Sequence, residues 1–305
     1  MVTFDPTVDL GRGLVLPNPV GVASGTFGYG FEAETMGTLE ALGAVYSKGT
    51  TLRPRAGNSP PRISETTSGM LNSIGLQNPG VEVVASSYAR RWATWQTPVI
   101  VNVAGADLDE YVRVCDRLSG VAGVAGVELN ISCPNISHGL DFGTDPHRAA
   151  ALVAAVRRTT ELPLMVKLTP NVTDIAEVGR AVQEAGADSV SAVNTYLGMK
   201  ISLVELRPVL PGAGTAGLSG PAIKPLALAA VARLSRALEI PVVGIGGIAS
   251  AADALEFLVA GAAAVQIGTA NFYRPGIAAE VARGCLDFAR THRLSGWDEL
   301  RWQHR

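Results

Sequence analysis

Eight short apolar runs recur along the chain with helical patterns between them, and that rhythm limits the fold more than any other feature. They lie at residues 20–25, 44–49, 98–103, 127–130, 163–168, 188–194, 240–245 and 263–268. Each is rich in Val, Ile, Leu or Ala and too short for a helix, as expected of strands buried on both faces. Residues 32–42 read as a helix. Thr173 caps another, whose Ile175, Val178, Val182 and Ala185 share one face before Gly186, and Ser250 with Asp253 opens a third over 251–260 in capping-box style. Strands that alternate with helices pair in parallel through right-handed crossovers. Eight such units close most simply into a (β/α)₈ TIM barrel, an α/β fold. Ahead of them, residues 3–16 read as a hairpin that plugs one end, with Val8, Leu10, Leu14 and Leu16 flanking the turn at Gly11-Arg12-Gly13.

With 47% hydrophobic and 17% charged residues among 305, the chain can bury a large core and lacks the signature of disorder. One barrel domain over residues 1–305, carrying loop insertions at its active end, accounts for that length. A net charge of −2 gives no reason to expect nucleic acid or an anionic membrane as partner, which leaves a small molecule. No apolar run approaches the roughly 20 residues of a membrane span. Met1-Val2-Thr3-Phe4-Asp5-Pro6 is no signal peptide, so the expected location is the cytoplasm. Cys115, Cys133 and Cys285 are odd in number and widely spaced, which suits neither a disulfide framework nor a four-cysteine metal site. No metal site is expected in this chain.

The residues that end the runs carry the functional information. Ser24, Lys48, Asn102, Asn130, Lys167, Asn194, Gly246 and Gly268 each close a different run, and in a barrel those ends meet on one rim. Strand ends are polar simply because they meet water, but water does not select two lysines and three asparagines. Gly244-Ile245-Gly246-Gly247-Ile248 and Gly268-Thr269 follow the seventh and eighth runs, where barrels bind phosphate through backbone N–H groups. Gly212-Ala213-Gly214-Thr215-Ala216-Gly217 has the spacing of a dinucleotide fingerprint. Pro208, Pro211, Pro221 and Pro225 deny it a strand before and a helix within, so it reads as a flexible loop over a ligand.

Residues 72–80 belong to a long insertion after the second run, equally suited to folding over a small substrate and to an ordered surface loop. Lys167 can stabilise negative charge formed during a reaction or hold a salt bridge, and Lys48 carries the same two readings. In Asn130-Ile131-Ser132-Cys133-Pro134-Asn135 the proline ends the strand and leaves Cys133 at its carboxyl end. Alone, that cysteine reads as a buried thiol; Asn130 and Asn135 beside it favour a polar heterocycle as neighbour. His138, Asp141 and Asp145 follow in the same loop, so a cysteine–histidine nucleophile is the competing chemistry. Cys115 and Cys285 fall in helical patterns and read as core thiols, and Trp297, Trp302 and His304 read as a docked tail.

Several segments taken together resemble a known family. Ser47-Lys48-Gly49, Asn72-Ser73-Ile74-Gly75-Leu76-Gln77-Asn78-Pro79-Gly80, the Asn130 to Asn135 motif, Phe142-Gly143-Thr144-Asp145-Pro146, Asn194-Thr195 with Gly198-Met199-Lys200, and Gly217-Leu218-Ser219-Gly220-Pro221-Ala222-Ile223-Lys224-Pro225 are similar to class 1 dihydroorotate dehydrogenases. The likeness is greatest to the catalytic subunit of the NAD-linked 1B type. It implies FMN held by Ser24, Lys48, Gly49, Asn102, Asn130, Lys167, Val193, Gly220, Gly246, Gly247, Gly268 and Thr269. It implies dihydroorotate and orotate contacts from Lys48, Asn72, Ser73, Ile74, Gly75, Leu76, Asn130, Asn194 and Thr195. Cys133 would be the base that takes a proton from C5 of (S)-dihydroorotate while a hydride leaves C6 for the flavin, the orotate-forming step of de novo pyrimidine (UMP) biosynthesis. Lys167 would stabilise charge on the reduced flavin. Ser73 stands where the family pattern has alanine.

The 1B likeness further implies a homodimer core joined to an electron-transfer subunit that carries FAD and an iron–sulfur cluster, a heterotetramer delivering electrons to NAD. A fumarate-reducing 1A homodimer is the alternative acceptor class, and Ser137-His138-Gly139-Leu140-Asp141-Phe142-Gly143 is closer to 1B. A related FMN pyrimidine reductase, a flavin-free cysteine amidase using Cys133 and His138, and a non-catalytic binding module are the competing functions.

Overall fold

The computed structural model describes residues 4–132, 142–210 and 214–302. Cys133, Pro134, Asn135, His138, Asp141 and His304 lie outside the described residues. β1 (Val8–Asp9) and β2 (Val15–Leu16) form the expected antiparallel hairpin, with Leu10, Leu14 and Leu16 buried. At its turn Arg12 Nε donates to Asp188 Oδ1 at 3.1 Å; Asp188 also accepts from Arg157 Nη1 at 2.9 Å and from Leu164 N at 2.8 Å. Asp188 and Leu164 stand at the starts of two barrel strands, so the hairpin covers the amino-terminal end.

β3 (Val20–Val22) and β4 (Ala44–Tyr46) begin the barrel, and β5 (Ile63–Thr66) and β6 (Gly69–Asn72) leave it as a hairpin. β7 (Val99–Val103), β8 (Gly126–Asn130), β9 (Leu164–Lys167) and β10 (Ser189–Ala192) continue it. A second excursion holds β11 (Tyr196–Gly198), β12 (Ile201–Ser202), β13 (Arg207–Pro208) and β14 (Ala216–Ser219), before β15 (Val242–Ile245) and β16 (Ala264–Ile267) return. The barrel closes in the order β3-β4-β7-β8-β9-β10-β15-β16, every pair parallel. Each of the eight apolar runs is thus a barrel strand. Apart from Asn130, the residues within these strands are buried, because helices cover the outside and side chains fill the inside.

Three local expectations give way to the structure. The helix expected over 32–42 is two short pieces, Phe31–Thr35 and a 3₁₀ turn at Leu39–Ala41, separated by Gly37 at φ 66°. The helix Ile175–Glu184 is capped by Asp174, whose carboxylate accepts from Ala176 N at 3.0 Å, and not by Thr173. Asp carries a charge as well as an acceptor, which suits the positive end of a helix. Ser250 and Asp253 do form the capping box, with Asp253 N donating to Ser250 Oγ at 3.1 Å and Ala249 N to Asp253 Oδ2 at 3.0 Å.

The third correction concerns the glycine-rich segment before Pro221. Part of it is no flexible loop: β14 is an inner strand of an antiparallel sheet β11-β14-β6-β5, with Gly217 opposite Asn72 and Leu197. A Cβ on Gly217 would lie 2.4 Å from Thr195 Oγ1, so glycine here permits close approach within a sheet. Residues 211–213 of that segment lie outside the described residues. Among the described residues, no helix is long and apolar enough to cross a membrane.

Candidate active site

The carboxyl ends of the barrel strands and the four-stranded sheet enclose a cavity of about 580 Å³, a size usual for small-molecule sites. Every described residue singled out for binding lines it. Ser24 follows β3, Lys48 and Gly49 follow β4, Asn102 lies in β7, Asn130 ends β8, and Lys167 ends β9. Val193, Asn194 and Thr195 follow β10. Gly246 and Gly247 follow β15, and Gly268 and Thr269 follow β16. The sheet brings Gly220 after β14, Asn72 from β6, and the Ser73, Ile74, Gly75 and Leu76 loop. The barrel order sets β15 four strands from β7, so the glycine turn faces Asn102 across the mouth.

The amides are held by specific partners. Asn130 Oδ1 accepts from Asn194 Nδ2 at 3.1 Å and from Ser132 N at 3.3 Å, while Asn194 Oδ1 accepts from Thr195 N at 2.9 Å. Asn72 Nδ2 donates to Gly217 O at 3.2 Å, joining the two excursions. Ser73, which stands where the family pattern has alanine, accepts from Asn58 Nδ2 at 3.0 Å through both its carbonyl and its hydroxyl oxygen, which fastens the loop.

The charges differ in character. Lys167 is 5% exposed and makes no side-chain hydrogen bond or ion pair with the described residues. The salt-bridge reading for it therefore has no partner among them. Lys48 is held below the usual lysine range, first by burial and then by the Arg62 guanidinium. Asn102 is fully buried; its Nδ2 donates to Glu128 Oε2 at 2.6 Å, and its Oδ1 has no partner among the described residues.

Gly246 at φ 138° and Gly247 at φ 72° form the turn expected to meet a phosphate. A Cβ on Gly247 would sit 2.8 Å from Lys224 Cβ and 2.9 Å from Gly220 O. Lys224 itself is committed elsewhere, donating to Asp253 Oδ1 at 2.6 Å and pairing with Glu256 at 2.9 Å.

The dihydroorotate dehydrogenase family profile matches residues 11–288. This chain belongs to the dihydroorotate dehydrogenase family. It is 51% identical over 301 residues to the catalytic subunit of dihydroorotate dehydrogenase B (NAD(+)) of Geotalea daltonii, covering 98% of each chain. The subunit of the same name from Geobacter sulfurreducens is 54% identical over 271 residues, 88% of each chain, and that from Porphyromonas gingivalis 48% over 294 residues, 96% of this chain and 95% of the other. In fold, the crystal structure of Eimeria tenella DHODH in complex with ferulenol superimposes with a TM-score of 0.81 at 20% identity, over 97% of this chain and 88% of that one.

Some lining residues of this family member escaped the sequence reading. Arg62 donates to Gln77 Oε1 at 2.7 Å, and Asn171 joins Thr195 O and Leu197 N, both at 3.0 Å. Neither ends a barrel strand, so nothing in the apolar rhythm marks it. Glu128 did carry a signal: a carboxylate between Val127 and Leu129 is out of place in a strand buried on both faces.

The glycine turn gives a first testable expectation. Gly247→Ala places a β-carbon in a left-handed conformation and against Lys224, at a cost of about 1–3 kcal/mol. The urea midpoint should fall with the slope unchanged. An unaltered midpoint would show that the turn is not the tight element described.

Proposed function

We propose that this chain is the catalytic subunit of an NAD-linked dihydroorotate dehydrogenase, one FMN-binding domain over residues 1–305 that oxidises (S)-dihydroorotate to orotate in pyrimidine biosynthesis. The observation that carries the reading is a mismatch within the cavity: the Lys167 ammonium and Asn102 Oδ1 have no partner among the described residues, while a glycine turn lies across the mouth. These groups fit a flat polar ring at one side and a phosphate at the other, as FMN has. Backbone N–H groups near Gly246, Gly247, Gly268 and Thr269, with Ser24 and Gly220, suit the phosphate; Lys48, Gly49, Asn102, Asn130, Lys167 and Val193 suit the ring. Bound FMN supplies a two-electron acceptor for the hydride that leaves C6.

The chain's own residues do the rest. Asn130 and Asn194, locked to each other, leave amide groups that can pair with the amide edge of a dihydropyrimidine, and Asn72 and Thr195 extend that set. Lys48 offers a cation to the substrate carboxylate. Cys133 removes the C5 proton, and Lys167 stabilises negative charge that builds on the ring.

Electrons then have to leave. The three cysteines of the sequence cannot ligate an iron–sulfur cluster of four thiolates, and Cys115 and Cys285 are buried in helices. A second subunit carrying FAD and such a cluster is accordingly part of the proposal, as are a homodimer of this chain and a cytoplasmic location. Leu203, Val204 and Leu206, 81–94% exposed between β12 and β13, are an apolar tip of the kind that chain–chain contacts cover.

Anaerobic addition of dihydroorotate to the FMN-loaded chain should bleach the flavin, and dihydrouracil should not. NAD reduction should require the second subunit. Bleaching by dihydrouracil would favour the pyrimidine reductase, reoxidation by fumarate the 1A type, and a protein that never takes up flavin the amidase.

A further inference from the structure

Glu128 is fully buried inside the barrel and accepts three hydrogen bonds from neutral groups on three other strands. Asn102 Nδ2 of β7 reaches Oε2 at 2.6 Å; Ser191 Oγ of β10 and Gln266 Nε2 of β16 reach Oε1 at 2.7 and 2.8 Å. The atom that Asn102 turns to Glu128 is its N–H₂, which donates to the carboxyl oxygen. The other end of the same amide, Oδ1, is then forced away from Glu128. It lies beside Gly49, where an added Cβ would come within 3.2 Å of it, and both residues line the cavity. Gln266 is oriented by the same carboxylate but does not reach the cavity wall. Among the described residues that bond to Glu128, only Asn102 also lines the cavity.

We propose that Glu128 is a positioning residue that fixes the Asn102 amide with its oxygen towards the ligand, making this part of the site select a ring that presents an N–H rather than a carbonyl. The inference rests on the flavin reading: the isoalloxazine has one imide N–H, at N3, between two carbonyls. An acceptor held in place favours that N–H, whereas a freely rotating amide would meet N–H and carbonyl alike.

Glu128→Gln tests this by reversing the amide. The new side chain keeps its oxygen towards Ser191 and Gln266 and turns an N–H₂ to Asn102. Asn102 has to rotate to accept, which presents its Nδ2 to the ligand. The apoprotein is titrated with FMN and with N3-methyl-FMN, and binding is read by flavin fluorescence. Wild type should prefer FMN by about tenfold or more, and Glu128→Gln should lose that preference. The double variant Asn102→Asp with Glu128→Gln should regain it, because the amide introduced at position 128 donates to one oxygen of the carboxylate introduced at position 102, whose second oxygen faces the ligand. Ser191→Ala, which removes one donor from Glu128 but leaves Asn102 in place, should keep the wild-type ratio.

A merely structural Glu128 predicts equal weakening of both flavins in Glu128→Gln, with the ratio retained, and that outcome overturns the proposal. Should Glu128→Gln fail to fold, the wild-type ratio and the double variant decide: no preference in the first, or none in a folded form of the second, overturns it. A wild-type chain that binds neither flavin overturns the flavin reading and this inference with it; a chain that binds both at a flat ratio overturns the role of Glu128 alone.

Discussion

Cys133→Ala is expected to slow reduction of the bound flavin by dihydroorotate by about 10²–10⁴-fold, the usual contribution of a positioned base, while FMN and orotate still bind. A thiol suits the task because its reference pKa of about 8.5 lies near neutrality, so a modest favourable charge makes the thiolate available. The other two thiols cannot stand in. Burial pushes both Cys115 and Cys285 up to about 12, where a thiol holds its proton at any physiological pH. Replacing either by alanine should leave the reduction rate unchanged. Stopped-flow traces under anaerobic conditions measure all three variants, and a serine at 133 should push the rise of rate with pH far to the alkaline side. Wild-type bleaching by Cys133→Ala would remove Cys133 from the mechanism, and would direct attention to another group on the rim.

Lys167→Met is the second large effect, and it has two signs. Lys167 is 5% exposed and its ammonium makes no ion pair or hydrogen bond with the described residues, so removing it breaks no contact that holds the flavin-free protein together. Methionine keeps much of the shape and drops the charge, so the flavin-free protein should gain about 1 kcal/mol. The same change should slow flavin reduction by about 10²–10³-fold, since the cation acts where negative charge develops, and should make the midpoint potential more negative. A thermal melt of the apoprotein, a stopped-flow reduction and a potentiometric titration read these separately. A lower melting temperature with an unchanged potential would mean that Lys167 is a structural group after all. Opposite movement of stability and activity is what a site residue, as distinct from a core residue, produces.

Much of the site was legible because barrel geometry turns a one-dimensional pattern into a ring. Residues that end successive buried strands must lie on one rim, so Lys48, Asn102, Asn130, Lys167 and Asn194 could be grouped before any distance was known. What escaped depends on pairings between distant segments. Gly217 looked like loop because prolines surround it, yet β6 and β11 supply the ladder that makes it a strand. The break at Gly37 and the choice of Asp174 over Thr173 are decided by one backbone angle and one side-chain contact, too local for an apolar period to register.

The order of the eight barrel strands was set by the sequence alone, because the length of a buried apolar run and the residues that interrupt it are local properties. So were the polar residues on the rim, since a strand has only one carboxyl end. The tertiary structure decided which way those residues act: that Lys167 stays unpaired among its described neighbours, that Asn102 is turned by Glu128, and that one carboxylate ties β8 to three other strands. Orientation of an amide and the cost of a buried charge depend on atoms from distant parts of the chain, and only folding brings those atoms within hydrogen-bond reach.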